Sequence, residues 1–412
     1  MNLTLNNIGK LAFDASINIT GSKSESNRLL ILQQIFDDLR LENVSNSHDT
    51  IVLTKALSGK EKTIDIGHAG TAMRFLTAYF SIKKGCNLVL TGSERMQNRP
   101  IKILVDALLS LGADITYLDK EGYPPIQIKG VELIQNKVRI QGNVSSQYIS
   151  ALLLIAPSLK DGLHIELKGE ITSIPYIEMT ISFLNKIGIE TTWDKNTITV
   201  LPKKVIKPTA ITIESDWSSA SYYYSLVALS ENGKIKLSSF QKNSRQGDSA
   251  LAEIYTHFGV KTTFNKDAIY LEKIANFKQK QQVKFDFIKT PDIAQTVAVT
   301  CFGLSVSCEI IGLHTLKIKE TDRLEALKIE LKKLGAKVKI TEDSFHLLSE
   351  TENKTQNAKI KNQVFQIETY DDHRMAMAFA PLSLLMSLEI KDALVVEKSY
   401  PTFWKDLASV FN

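Results

Sequence analysis

The sequence holds 412 residues, 43% of them apolar and 23% charged, with a formal net charge of +5. That balance describes an ordinary globular chain of roughly two or three domains, open to acidic substrates without requiring nucleic acid. No run of about 18 apolar residues occurs, so no membrane span is expected, and Cys86, Cys301 and Cys308 stand in apolar settings that argue against a disulfide framework or a zinc site. The opening MNLTLNNIGKLAFDA lacks a basic region followed by a long apolar one, so no signal peptide and a cytoplasmic location are expected.

Residues 5–20 read as a strand-rich lead-in. Beyond them two series of helical patterns recur. Six small-residue helices open at Gly21, Gly67, Gly142, Ser215, Pro291 and Tyr370. A second series, LVDALLSLGAD, ISFLNKIGIE, LAEIYTHFGVK and LKKLGAK, ends each time in an apolar-Gly-apolar stop, at Gly112, Gly188, Gly259 and Gly335. Alternating runs such as KVRIQG, TITVLP and AIYLEK read as the strands between. Strand and helix repeating at roughly 70 residues give an α/β fold with internal repetition, in compact units rather than a solenoid. A polar segment at 195–215 suggests a surface stretch and a domain junction, and another at 349–363 an exposed loop.

Candidate site residues lie mostly at the helix openings. In GSKSESNR, 21–28, Ser22 separates Gly21 from Lys23, which breaks the spacing of a nucleotide phosphate loop. Lys23, Ser24 and Arg28 at a helix start suit a phosphate or carboxylate, or else belong to a capped structural helix. GHAGTAMR at 67–74 sets Gly70 where backbone could approach a ligand. In RMQNRP, Pro100 reads as a first-turn residue, so Arg99 points from a helix start. Ser145, Ser146 and Gln147 offer two hydroxyls and an amide. Asp292 in PDIAQT is a carboxylate in an apolar stretch, suited to a base or to an N-cap. In DDHR, His373 and Arg374 open an apolar helix with no second His at metal-ligand spacing. Lys398 adds a cation near the end of the chain.

The stretch Lys319-Glu320-Thr321-Asp322-Arg323 precedes LEALKIELKKLGAKV, in which Leu324, Leu327, Leu331 and Leu334 share one helical face. Thr321 is the expected N-cap and Gly335 the expected stop. Cations beside a carboxylate at a helix N-terminus suit phosphate binding coupled to proton transfer. The chain has nine Arg against 41 Lys. Arg28, Arg74, Arg99, Arg323 and Arg374 all sit in small-residue motifs, each beside an expected helix, and several of these bidentate forks are expected to grip a multiply acidic ligand.

Taken in order, GSKSxSNR, GxAGTAMR, TGxxRMxxRP, VSSQ, SxPYI, SSASYY, NSxQGD, PD, KETDRL, DHRMAM and KSYPxFW resemble the 5-enolpyruvylshikimate-3-phosphate (EPSP) synthase family, from about residue 20 to 404. The resemblance implies two lobes, each of three repeated α/β units and six repeats in total. One lobe would span 20–214, on the shikimate 3-phosphate side. The other would join 1–19 to 215–412, with the active site in the cleft between. It implies transfer of the enolpyruvyl group of phosphoenolpyruvate to the 5-hydroxyl of shikimate 3-phosphate with release of phosphate. Shikimate 3-phosphate would meet Lys23, Ser24, Arg28, Ser145, Ser146, Gln147, Ser173, Asp292 and Lys319. Phosphoenolpyruvate would meet Lys23, Gly70, Arg99, Gln147, Arg323, Arg374 and Lys398. Asp292 would be the base for the 5-hydroxyl and Glu320 the acid for the methylene carbon, with Lys23 also catalytic. No metal or organic cofactor, no nucleic acid and no membrane partner are implied, and a monomer is expected.

Three positions depart from the family pattern. His68 stands for the usual Asn, Phe75 for the usual Pro, and Ser47-His48-Asp49 where an Asp pair is more usual. Gly70 predicts sensitivity to glyphosate, which Phe75 could loosen. The competing enzyme is the related UDP-N-acetylglucosamine enolpyruvyl transferase, which needs a reactive Cys in a Gly-rich loop. The non-enzymatic alternatives are an anion or nucleic-acid binder and a paralogue with a dead site.

Overall fold

The computed structural model describes all residues except Lys60, Val144, Thr172, Ser173, Glu320 and 349–362. All but Gln363 of the polar stretch 349–363 therefore lies outside the described residues. The chain divides into two compact units, Gly21–Ile213 and Met1–Thr20 with Glu214–Asn412.

One sheet plan recurs. In the Gly21–Ile213 unit, Thr63–Asp65 pairs parallel with Asn87–Thr91, to which the hairpin of Asp114–Tyr117 and Ile126–Lys129 adds antiparallel. Lys137–Gln141, Leu163–Lys168 and the hairpin Thr191–Asp194/Thr197–Val200 repeat it. The third copy keeps only the parallel pair, Leu39–Glu42 with Thr209–Thr212. In the other unit, Ala12–Ile17 with Asn232–Ser238 and Gln282–Asp286 with Ser307–Ile311 each carry such a hairpin. The last pair, Val364–Ile367 with Ser387–Ile390, takes Leu3–Leu5 as its antiparallel strand.

Parallel neighbours need a crossover, and Gly70–Ile82, Ser146–Ile155, Ala294–Gly303 and His373–Phe379 supply it for four of the pairs. The other two small-residue helices, Lys23–Ile35 and Trp217–Leu229, link strands of different sheets. These helices are largely buried: in Trp217–Leu229 all residues but Ser218 are. Where two approach closely only Gly fits, since a Cβ on Gly303 would stand 2.6 Å from Leu229 Cδ2. Amphipathic helices such as Lys102–Ser110, Ile174–Lys186 and Arg323–Lys333 lie outside them. Each unit closes over its own apolar core.

The four glycine stops stand at φ +102°, +82°, +74° and +94° (Gly112, Gly188, Gly259, Gly335), the left-handed turn that ends a helix. Three local expectations need correction. LAEIYTHFGVK is a short α-turn, Leu251–Ile254, running into a 3₁₀ turn, Tyr255–Phe258. The Arg323 helix is capped by Asp322, whose carboxylate accepts from the N–H groups of Leu324 and Glu325, and not by Thr321. Pro100 precedes the first turn it was expected to occupy, because the helix starts at Lys102 with Ile101 as its cap residue.

Candidate active site

In the Gly21–Ile213 unit the centre is Arg28, only 2% exposed. Its Nε donates to Thr180 Oγ1 at 2.8 Å, Nη1 to Ser24 O at 2.8 Å, and Nη2 to Ser150 Oγ at 3.1 Å and Tyr176 O at 3.5 Å. The rings of Phe75 and Tyr176 lie 5.5 and 5.7 Å away. Burial pulls this guanidinium down to about 10, against the pull of Tyr176 and Glu25, so it is charged at neutral pH. All these partner oxygens are uncharged. These oxygens lie within the first two turns of the Lys23, Ser146 and Ile174 helices, and the Phe75 ring in the second turn of the Gly70 helix, so all four helices begin near Arg28. Their positive dipole ends therefore gather there.

Lys23 and Gly70 are the first residues of their helices; Gln147 is the second of its own and donates to Thr71 Oγ1 at 3.2 Å. Lys23 Nζ pairs with Asp49 at 3.2 Å. Ser47 caps the helix that carries Asp49. Ser145 caps its helix by accepting from Gln147 N–H, and Ser146 is buried. Arg99 is exposed and lies over Gly70: a Cβ there would stand 2.6 Å from Arg99 Nη1. A methyl at position 70 would displace the Arg99 guanidinium without straining the backbone, whose φ is ordinary. Arg74 turns its two terminal nitrogens to the protein, bonding Pro100 O at 2.9 Å and Gly70 O at 3.2 Å. It thereby ties the start of the Gly70 helix to the loop bearing Arg99. His68 does the same from outside, with Nδ1 2.7 Å from Ser93 Oγ.

In the other unit the centre is Asp292, in a 3₁₀ turn (Pro291–Ile293) leading into the Ala294 helix and not at its cap. Arg323 Nη1 reaches Asp292 Oδ1 at 2.9 Å, Lys319 Nζ the same oxygen at 3.5 Å, and Arg374 Nη2 reaches Oδ2 at 3.3 Å. Arg374 Nη1 also donates to Asp292 O at 3.2 Å. Arg323 Nε donates to Asp372 Oδ2 at 2.6 Å, and Asp372, fully buried, caps the His373 helix. Arg374 bonds Ser218 Oγ at 3.3 Å, and Ser218 in turn bonds Asp248. Burial, then Asp292, pushes the Asp248 carboxyl up. Burial pulls the Arg374 guanidinium down, but Asp292, Tyr222, Asp248 and Asp216 together hold it well above its usual range.

Arg323 and Arg374 occupy the first turns of their helices, where the dipole disfavours cations. The carboxylates of Asp292, Asp372 and Asp322 offset that cost. Lys398 ends the 3₁₀ turn Ala393–Lys398, which packs on the His373 helix. Ser173 and Glu320 lie outside the described residues. Asp372, Asp248, Ser218, Ser150 and Thr180 were not singled out by the sequence. Asp372 and Asp248 stand inside quoted motifs, but an acid before a helix reads as a cap until its partner is seen.

Among the described residues no group of three His, Cys, Asp or Glu could hold a metal, and no helix is long and apolar enough to cross a membrane. Burial pushes the thiols of Cys86 and Cys301 up, the reverse of what a reactive cysteine needs.

A solved EPSP synthase from Acinetobacter baumannii shares the fold at TM-score 0.81 and 20% identity, over 99% of this chain and 98% of that one. A 3-phosphoshikimate 1-carboxyvinyltransferase of Bacteroides fragilis (strain YCH46) is 46% identical across 95% of this chain and 94% of the relative. One from Histophilus somni (strain 2336) is 34% identical across 99% and 98%. The family model for EPSP synthase (3-phosphoshikimate 1-carboxyvinyltransferase) matches residues 33–407. On that match and that identity, the chain belongs to the EPSP synthase family, the enolpyruvyl transferases of the shikimate route to aromatic amino acids.

Proposed function

We propose that the Arg28 and Asp292 centres serve one reaction, with the residue roles that follow. As a member of its family the chain transfers the enolpyruvyl group of phosphoenolpyruvate to the 5-hydroxyl of shikimate 3-phosphate. Lys23, Ser24, Arg28, Ser145, Ser146, Gln147 and Ser173, in the lobe of residues 20–214, hold shikimate 3-phosphate, with Asp292 and Lys319 from the second lobe, 1–19 with 215–412. Phosphoenolpyruvate is held by Lys23, Gly70, Arg99, Gln147, Arg323, Arg374 and Lys398. Glu320 gives a proton to the methylene carbon and Asp292 takes one from the 5-hydroxyl, whose oxygen bonds to the cationic enol carbon. Glu320 then takes back a methyl proton, which expels phosphate and restores the double bond. These are proton transfers and an addition–elimination, so acids, bases and fixed cations suffice.

The observation that carries this reading is the bracketing of Asp292 by Lys319, Arg323 and Arg374. Phosphate and carboxylate groups of the substrates compete for those cations, and a carboxylate relieved of them becomes a base. One chain supplies both centres, which supports a monomer, and a cytoplasmic enzyme is part of the proposal. Phosphate release with both substrates, measured for wild type, Asp292→Asn and Glu320→Gln, tests the roles. Each variant is expected to lose about 10²–10⁴ in rate; full turnover in either would remove its residue from the mechanism.

A further inference from the structure

Glu330 has no exposed surface, and the addition–elimination makes no use of it. A buried carboxylate is uncommon and needs partners. It lies seven residues after Arg323, on the same face of the same helix. Its Oε1 accepts from the Tyr370 hydroxyl at 2.5 Å. Oε2 accepts from Glu368 N–H at 3.2 Å and from Lys333 Nζ at 2.8 Å. Burial, then Glu330 itself, pushes the Tyr370 hydroxyl up, so it remains a donor.

The segment that Glu330 grips is strained. Tyr370 and Asp371 stand at φ +53° and +54°, and Asp372 N–H closes the turn on Thr369 O at 2.9 Å. No other adjacent pair of non-glycine residues among those described shares positive φ. Two central residues in that region favour Asn and Gly, and a bulky aromatic is an outlier there. Such backbone persists only where its surroundings over-determine it. Directly after the turn come Asp372, which accepts from Arg323 Nε at 2.6 Å and from Arg374 N–H at 2.8 Å, and Arg374 itself. The Arg323 helix thus meets this segment at two heights, through Arg323 and through Glu330.

We infer that Glu330 and Tyr370 brace the Thr369–Asp372 turn in its left-handed form and so set Asp372 and Arg374 against Arg323 and Asp292. They are positioning residues for phosphoenolpyruvate. The inference rests on the phosphoenolpyruvate roles proposed above for Arg323 and Arg374. With the brace gone, the turn relaxes toward negative φ and carries Asp372 off Arg323.

The test compares wild type, Tyr370→Phe, Tyr370→Phe/Asp371→Gly and Arg374→Gln, reading KM for each substrate and the melting temperature. Tyr370→Phe is expected to raise KM for phosphoenolpyruvate about tenfold, the usual effect of removing an orienting partner, with KM for shikimate 3-phosphate unchanged. Asp371→Gly, which lowers the cost of the left-handed backbone, returns KM toward wild type. A lower melting temperature with KM for phosphoenolpyruvate unchanged would overturn the brace, as would a rise in KM that Asp371→Gly fails to reverse. Arg374→Gln without effect on KM for phosphoenolpyruvate would instead overturn the site assignment beneath it.

Discussion

Arg28 and Arg323 are each 2% exposed, and both lie in the first two turns of a helix, yet they are partnered in opposite ways. Arg28 gives its donors to hydroxyls and backbone carbonyls of Thr180, Ser150, Ser24 and Tyr176. Arg323 gives its own to the carboxylates of Asp372 and Asp292. The first centre keeps its positive charge and gathers helix N-termini around it; on the proposed roles it would receive an anion without rearrangement. The second is already balanced, and on the same roles an acidic substrate would have to displace an internal partner. A receptor and an exchanger call for different responses to the same mutation.

The contrast is sharpest in stability. Arg323→Met leaves Asp372 buried without its cation and is expected to destabilise by about 3–5 kcal/mol, read by chemical denaturation. Arg28→Met should do the reverse. It removes a desolvated charge, while Thr180 still bonds Ser150 Oγ at 3.0 Å and Tyr176 O at 2.9 Å. Stability is then equal or higher, while affinity for shikimate 3-phosphate falls about a hundredfold, the scale of lost charged hydrogen bonds. Equal destabilisation by the two variants would erase the distinction.

Gly70→Ala has a smaller expected effect. Its methyl meets only the mobile end of the exposed Arg99, so the melting temperature holds while KM for phosphoenolpyruvate rises about tenfold. An unchanged KM would detach Arg99 from that substrate. The smallest effect is on pH. Burial raises Glu214 despite donors from Ser244, Gln241 and Trp217. The folded chain then holds a proton that the unfolded chain releases, so stability falls as pH rises from about 4, the ordinary carboxyl value, toward the raised one. Glu214→Gln flattens that part of the melting-temperature profile; an unaltered slope would count against a raised Glu214.

The fold was legible where one residue type fixes the backbone. Gly112, Gly188, Gly259 and Gly335 marked helix ends because left-handed turns favour Gly, and four of the small-residue helices marked crossovers because only such surfaces pack closely. The site was legible as far as motifs name residues, since scarce Arg at helix starts pointed to anion binding. Partnership was not legible. Arg28, Arg74 and Arg323 look alike in sequence, and only the fold assigns them hydroxyls, a loop backbone and carboxylates. Glu330 and Tyr370 lie 40 positions apart with no shared motif, so nothing local pairs them.

Calorimetric titration of shikimate 3-phosphate alone into wild type, Arg28→Gln and Arg374→Gln tests the central claim most directly. The expected result is binding to wild type without phosphoenolpyruvate, weakened about a hundredfold by Arg28→Gln and retained by Arg374→Gln. Equal loss in both variants, or undiminished binding to Arg28→Gln, would contradict the division into a receptor and an exchanger.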